Sequence, residues 1–212
     1  MTPLGFAVFT IVVILCLGWF AVGTQVNVRK GNDTLKWLQE GLGLIGQKTT
    51  LRWLGSSVVE LKIQDPRPPL RQVEVLVVLE PRDVPFLWWF FRARGRRDLL
   101  IFRSHLRTSP RFELEALEPG SWSARGILER VQGRDWTPIA TAPQSALLAY
   151  AQGGGPAASA VVQLAVLHGP LPVRLFVHRD TPNLEAHWRL ADLKGISSGS
   201  LFETLRNISE RL

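Results

Sequence analysis

The longest apolar run of this chain lies at its N-terminal end. The first 28 residues carry no charged side chain, and residues 4–22 are almost continuously apolar. A helix over these residues is about 28 Å long, close to the ~30 Å hydrocarbon core of a bilayer. Trp19 and Phe20 lie near its end, where interfacial aromatic residues are typical. The pattern predicts a transmembrane anchor over residues 1–28.

A secretory signal peptide is the alternative interpretation of this segment, with small residues at 21–23 as a cleavage site. However, no Lys or Arg precedes the apolar run, and the run exceeds the usual 7–15 residues. Arg29, Lys30 and Lys36 follow it. The positive-inside rule therefore predicts an outside N-terminus and a cytoplasmic domain, residues 29–212, at the plasma membrane.

Beyond the anchor, helical and alternating patterns succeed one another. Leucines at helical spacing predict a short helix over 32–46, capped by Asn32 or Asp33. Alternating apolar residues predict strands over 58–64, 72–80, 98–106 and 111–117, and helical patterns follow at 123–132 and 198–212. We predict an α+β fold, in which an antiparallel β-sheet carries a few packed helices.

Residues 160–190 resemble residues 72–117. With one gap, Phe102 aligns with Phe176 and His105 with His178. The pattern favours two repeated three-stranded meanders, with convergence of two ordinary hairpins as the alternative. A division near residue 122 would then give two subdomains, 29–122 and 123–212.

The first of these blocks contains an insertion, residues 81–97, that the second lacks. Within it, six large apolar residues run directly into four arginines. Such a segment is long enough to lie in a membrane interface, although not to span a bilayer, and we expect an exposed hairpin tip or short helix near the end of the anchor. Two alternatives are a core segment between sheet and helices, and a surface for a membrane-protein partner. The predicted membrane- or partner-binding residues are Phe86, Trp88, Trp89, Phe90, Phe91, Arg92, Arg94, Arg96 and Arg97.

Composition changes this interpretation only slightly. The net charge is +7, and the excess lies in residues 29–111, which carry 16 Lys or Arg against 8 Asp or Glu. A basic surface can attract anionic lipid or nucleic acid. Because the anchor keeps the domain at the membrane, we expect lipid and no nucleic acid. The single cysteine, Cys16, excludes an intramolecular disulfide.

No motif for catalysis, cofactor binding or metal binding is supported by the sequence around it. Residues 41–49 fit G-x-G-x-x-G, but a helix precedes them and an extended segment follows, the reverse of a nucleotide-binding unit. The tripeptide His-Arg-Asp at 178–180 also occurs in the catalytic loop of protein kinases, but the other elements of that loop are missing from this sequence. The four histidines show no metal-ligand spacing. We therefore predict no catalytic, cofactor-binding or metal-binding residue.

The sequence thus predicts a membrane-anchored accessory or scaffold protein. Its partners would be the lipid bilayer and a membrane protein, and its oligomeric state is not predicted. The alternative is a membrane-tethered enzyme whose site cannot be identified from the sequence. A deep pocket with converging polar groups would favour the enzyme, and an exposed apolar patch the scaffold.

Overall fold

A single helix of 40 residues, α1 (Pro3–Leu42), opens the fold in the computed structural model, which describes residues 2–121, 124–132, 135–141 and 145–212. Thr2 caps α1 by accepting a hydrogen bond from the backbone N–H of Gly5, and Pro3 occupies the first turn. Its most apolar 18-residue window has a mean hydropathy of 2.5, and none of that window is buried. The chain therefore has one described helix that is long and apolar enough to cross a membrane.

The separate helix expected over 32–46 is wrong, because α1 continues through it. Asn32 and Asp33 are exposed residues inside α1 and cap nothing. Gly31 also lies inside α1. A Cβ at Gly31 would lie 2.5 Å from the ring of Trp53, so this glycine allows α1 to pack closely on the domain. The C-terminal half of α1 thereby becomes part of the core, through Leu35, Leu38 and Leu42.

The described strands form one nine-stranded sheet in which every pair is antiparallel, in the order β1-β2-β3-β4-β9-β8-β5-β7-β6. Alternation of apolar residues positions them, as in β3, where Val73, Val75 and Val77 are all buried. The strands are β1 (Lys48–Trp53), β2 (Val58–Gln64), β3 (Leu70–Val78), β4 (Leu99–Leu106), β5 (Glu113–Leu117), β6 (Thr137–Ile139), β7 (Leu148–Gln152), β8 (Arg174–Val177) and β9 (Leu184–Arg189).

Three of the described helices pack on the apolar side of this sheet. After α1 the chain forms α2 (Pro85–Ala93), α3 (Ala124–Gln132), α4 (Gly155–Leu167) and α5 (Ser198–Ser209). Buried residues of α1, α4 and α5 form one core with β2, β3, β4, β5, β7, β8 and β9. A smaller cluster joins α3 to Leu117. The predicted α+β class, an antiparallel sheet with packed helices after an apolar N-terminal helix, is confirmed.

The predicted repeat of two three-stranded meanders is wrong. The first run of the second block lies in α4, because Ala158, Val161, Val162 and Ala165 also satisfy helical spacing and bury one helix face. In the first block, β4 and β5 do not pair with each other. The β8–β9 hairpin lies between them, so that β4 pairs with β9 and β5 with β8. Strands from 29–122 and 123–212 thus share the sheet, and the division into two subdomains stays a prediction.

Candidate membrane-facing site

The aromatic insertion forms α2, a nine-residue helix between β3 and β4 with Pro85 in its first turn. No residue of α2 is buried. The side chains of Phe86 and Trp89 are 70% and 67% exposed, respectively. The segment is therefore an exposed short helix, one of the two forms expected, and the core-segment alternative is not supported.

The predicted site residues divide into an exposed set and a half-buried set. Phe86, Trp89, Arg92, Arg94 and Arg97 are exposed, whereas Trp88, Phe90, Phe91 and Arg96 are half-buried.

The arginines that follow the aromatic run fold back over its rings. The guanidinium of Arg94 lies 4.0 Å from the ring centre of Phe90, and that of Arg96 lies 4.9 Å from the ring centre of Phe91. Such cation–π contacts are worth about 0.5–1 kcal/mol each at exposed sites. The local contacts therefore give the adjacent aromatic and basic residues a structural reason, independent of any partner.

One face of α1 contacts the base of α2. The Trp19 indole N–H donates to the carbonyl oxygen of Arg82 at 2.9 Å, and the Trp19 and Trp88 ring centres are 6.3 Å apart. One turn further along α1, Gly23 lies so close that a Cβ there would be 2.3 Å from the same carbonyl oxygen. The aromatic helix is thereby held beside the last turns of the apolar segment.

Two buried carboxylates flank α2 in the chain and support it from below. Glu80, 1% exposed, accepts a hydrogen bond from the Trp88 indole at 2.7 Å and from Arg92 at 3.1 Å. Asp98, 8% exposed, accepts two hydrogen bonds from Arg82, at 2.9 and 2.8 Å, and one from Lys30 at 2.7 Å. These ion pairs join α1, the β3–α2 connection and the start of β4.

The ionisation of Asp98 follows from these contacts. Burial raises the pKa of this carboxyl, but hydrogen bonds from Arg82, Lys30 and the Glu80 backbone N–H outweigh burial, so its pKa is held below the usual value. Asn27 completes the network. It is fully buried, donates to the carbonyl oxygen of Glu80 at 3.1 Å and accepts from Arg82 at 3.1 Å.

Sequence reasoning missed this supporting network. Asn27 lies in the segment predicted as anchor, and Lys30 predicts only the topology of that anchor. One signal was available: Glu80 precedes the aromatic insertion and Asp98 follows it directly, so acidic residues bracket a strongly basic segment. Their contact with α1 could not be predicted, because it depends on α1 continuing as one helix into the domain.

A cleft of about 1000 Å³ opens beside this network. Its walls come mainly from α1, α2 with the connections on either side of it, and the end of β9 with the β9–α5 connection. The lining contains six basic and three acidic residues, and among the described lining residues there is no His, Cys or Ser. The charged lining residues are Lys30, Arg82, Arg92, Arg97, Arg189, Lys194, Asp33, Glu80 and Asp98.

The other charged clusters lie on the sheet face opposite the main core. Glu185 contacts Arg103 at 2.6 Å and also contacts His187. Burial raises the pKa of Glu185, but these two neighbours outweigh burial and hold it below the usual value. His178 contacts a different carboxylate, Glu115, at 3.1 Å.

These clusters and the glycine-rich motif show no sign of a metal or nucleotide site. No group of three or more potential metal ligands occurs among the described residues. Residues 41–49 run from the end of α1 into β1, the helix-to-strand order expected from the sequence. That order cannot present the motif to a helix N-terminus, where phosphate-binding loops place their ligand.

Comparison of the chain with protein-family models and with curated proteins finds no match to either.

Proposed function

We propose that this chain is a single-pass accessory or scaffold protein of the plasma membrane, whose sheet domain rests against the cytoplasmic leaflet. The observation that carries the proposal is the position of α2. The half-buried Trp88 of α2 lies beside Trp19 of α1, Gly23 lies against the backbone of Arg82 just before α2, and Phe86 and Trp89 of the same helix are exposed.

The length of α1 supports contact between α2 and lipid. Trp19 is the first residue of α1 recorded in contact with the domain, so Pro3–Gly18 is left for the bilayer. These 16 residues span about 24 Å, less than the ~30 Å hydrocarbon core. About 20 residues are needed, which places the hydrocarbon boundary near Val22. A tilted α1 would need more residues to cross the hydrocarbon core, which would move the boundary beyond Val22 toward the C-terminal end of α1.

At this boundary α2 has the composition of an interfacial helix. Trp is favoured at the level of the headgroups, and adjacent arginines can meet anionic phosphates there. Each basic residue near an anionic surface contributes on the order of 1 kcal/mol. Because α1 already tethers the domain, even a weak contact of α2 with the bilayer would be occupied.

The packing of α1 favours an anchor that is retained over a signal peptide that is removed. Cleavage after Gly23 would cut α1 in the middle of a continuous helix. It would also remove Trp19 and Gly23 from their contacts with Arg82. The fold therefore uses both sides of the predicted cleavage site.

The cleft is the one feature that favours the alternative, a membrane-tethered enzyme. Its two buried carboxylates, Glu80 and Asp98, are held by Arg82, Arg92 and Lys30 and are poorly placed to act as general acid or base. The large exposed apolar surface of α2 favours the scaffold.

The topology can be tested with a reporter fused after Leu212. We expect activity from a reporter enzyme that functions only in the cytoplasm. Protection of the reporter outside the membrane, or a mature chain that begins near Thr24, would contradict the proposed topology or the anchor.

The contact of α2 with lipid can be tested by spin-label depth in vesicles. Cys16 is the only cysteine, so a Cys16→Ser background allows single labels. A label at Phe86→Cys should be accessible to oxygen and shielded from a water-soluble nickel chelate. A label at Leu51→Cys, an exposed apolar position on β1, provides the control and should show the opposite. Equal accessibility of both labels to the chelate would contradict the contact.

The accessory role requires a protein partner and needs a separate test. The full chain, purified with a tag in mild detergent, should copurify with a membrane protein in constant ratio. Loss of that protein on Phe86→Ser with Trp89→Ser would place the partner at α2. Purification of the chain alone would leave membrane contact as the only role of this surface.

A further inference from the structure

We propose that the cleft beside α2 binds the phosphate-bearing headgroup of an anionic membrane lipid, an inference that rests on the proposed position of α2 at the bilayer. The cleft offers positive charge and an apolar wall, and it lies on the domain side of the predicted hydrocarbon boundary.

The positive charge of the cleft exceeds what its own carboxylates neutralise. Glu80 and Asp98 are ion-paired with Arg82, Arg92 and Lys30. Among the described residues, neither Arg97 nor Lys194 has a carboxylate within salt-bridge distance. Two cations that line the same cleft are thus left for an anion, against one carboxylate, Asp33, that forms no ion pair within the described residues.

The geometry of Arg97 suits phosphate. Its Nη1 donates to the carbonyl oxygens of Arg92, at 2.9 Å, and of Arg96, at 2.8 Å. These two hydrogen bonds fix the guanidinium against the backbone. The Nε and Nη2 groups have no recorded partner in the described part of the chain, and a guanidinium can present such donors to phosphate in a bidentate manner.

The rest of the cleft favours a lipid over a free phosphate ion. Trp37, Leu190, Leu193 and Ile196 give it an apolar wall, which inorganic phosphate would not use. The Trp37 indole N–H already donates to the carbonyl oxygen of Ile196 at 2.8 Å, so its ring contributes apolar surface.

Position along α1 also favours a ligand from the bilayer. Lys30, Thr34 and Trp37 line the cleft on one face of α1, and Lys30 lies about 12 Å beyond Val22. Side chains of a helix lean toward its N-terminus, so this face reaches back toward the headgroup layer. A lipid can therefore enter laterally at the high local concentration of the leaflet.

The test is a binding titration of the full chain in non-ionic detergent with short-chain phosphatidylglycerol, short-chain phosphatidylcholine and inorganic phosphate. The test variant is Arg97→Gln with Lys194→Gln. The matched control is Lys36→Gln with Arg71→Gln, which removes the same charge from exposed positions outside the cleft. Thermal unfolding of each variant is measured first; all four side chains are exposed, so both variants should fold.

We expect saturable binding of phosphatidylglycerol, about 30-fold weaker in the test variant, because each cation near an anionic lipid is worth about a factor of five. The control should stay within about twofold of the parent chain. Equal affinity for phosphatidylcholine, an equal loss in the control, or displacement by inorganic phosphate at the lipid's own concentration would overturn the proposal. The titration needs no bilayer, whereas the Phe86 label depth does, so failure of the cleft and failure of the α2 contact are distinguishable.

Discussion

Two short apolar helices, α2 and α4, have opposite surroundings. α4 turns Ala158, Val161, Val162 and Ala165 into the core, where it packs against α5, β5 and β7. α2 is nearly as apolar, yet it buries no residue. The small side chains of α4 allow close packing, whereas the bulky rings of α2 are covered in part by arginines and lie beside α1. Apolar character alone therefore does not predict burial of a helix.

The largest effect on stability is expected when a charge is placed on each of these two helices. Val162→Asp buries a carboxylate without a partner, because Val162 is 1% exposed, and should cost more than about 4 kcal/mol of the free energy of unfolding. Phe86→Asp, at a position that is 70% exposed, should cost less than about 1 kcal/mol in detergent. Denaturant unfolding of the full chain, followed by circular dichroism, measures both. Similar losses would mean that α2 is a core element after all.

A smaller effect is expected from the ion pairs that support α2. Asp98→Asn should cost about 3 kcal/mol, because it leaves Arg82 without its main partner in a largely buried site. Glu118→Gln breaks a more exposed pair with Arg189 and provides the control, with an expected cost below about 1 kcal/mol. A small loss for Asp98→Asn would show that α2 does not depend on this network.

Asp98 of this network and Glu185 of the separate cluster on the sheet together predict a pH dependence of stability. The folded-state pKa values of Asp98 and Glu185 are both lowered. Their contribution to stability is therefore present above the unfolded values, about 3.9 and 4.3, and is lost as the pH falls through the folded values. Unfolding midpoints should be level from pH 7 to about pH 5 and fall below about pH 4. Asp98→Asn should make this fall shallower, whereas an unchanged acid limb would exclude Asp98 as a contributor.

Contact between α1 and the base of α2 can be tested at a glycine. Gly23→Ala should cost about 1–3 kcal/mol, because the added methyl group would overlap the Arg82 backbone. Gly18→Ala is the control: nothing lies within 4 Å of a Cβ there, and the change should be neutral or stabilise α1 slightly. Equal stability of the two variants would show that α1 and α2 are not packed together at this level.

Local sequence patterns predicted the positions of strands better than they predicted which strands pair. Alternation found β2, β3, β4 and β5 within about two residues, since each strand has one apolar face. The same reasoning assigned a strand to residues of α4, because a run of Ala and Val fits both a period of 2 and a period of 3.6. Pairing of β4 with β9 joins residues 80 to 90 positions apart, and no local signal specifies it.

The candidate site was predicted in part for the same reason. The abrupt change from large aromatic residues to arginines is visible over residues 86–97, and residues 86–93 lie in the exposed helix α2. The buried partners Asn27, Glu80 and Asp98 were not predicted. Their role depends on the unbroken course of α1, which the cap-like Asn32 and Asp33 concealed. Asn or Asp begins a helix as its N-cap only where its own backbone is not helical, and here α1 is helical throughout Pro3–Leu42.

The smallest effect on stability is expected on the exposed face of α2. Phe86→Ser with Trp89→Ser removes two large apolar side chains that are mostly exposed, so the free energy of unfolding in detergent should change by less than about 0.5 kcal/mol. In vesicles, however, α2 of the same variant should no longer lie in the membrane interface. A spin label at Leu87→Cys, in the Cys16→Ser background, should become accessible to the water-soluble chelate.

The matched control for that variant is Leu44→Ser with Leu51→Ser, which removes two exposed apolar side chains, one just after α1 and one on β1. It should leave the depth of the Leu87 label unchanged, because Leu44 lies at the opposite end of α1 from the apolar segment and Leu51 lies on the far side of Trp53 from the β1–β2 turn. Truncation of buried aromatic residues costs about 3–5 kcal/mol. If Phe86→Ser with Trp89→Ser lost that much stability while the Leu87 label kept its depth, the contrast between α2 and α4 would disappear. Membrane contact would then lose its main support, since the exposed rings are what distinguish α2 from the buried helices.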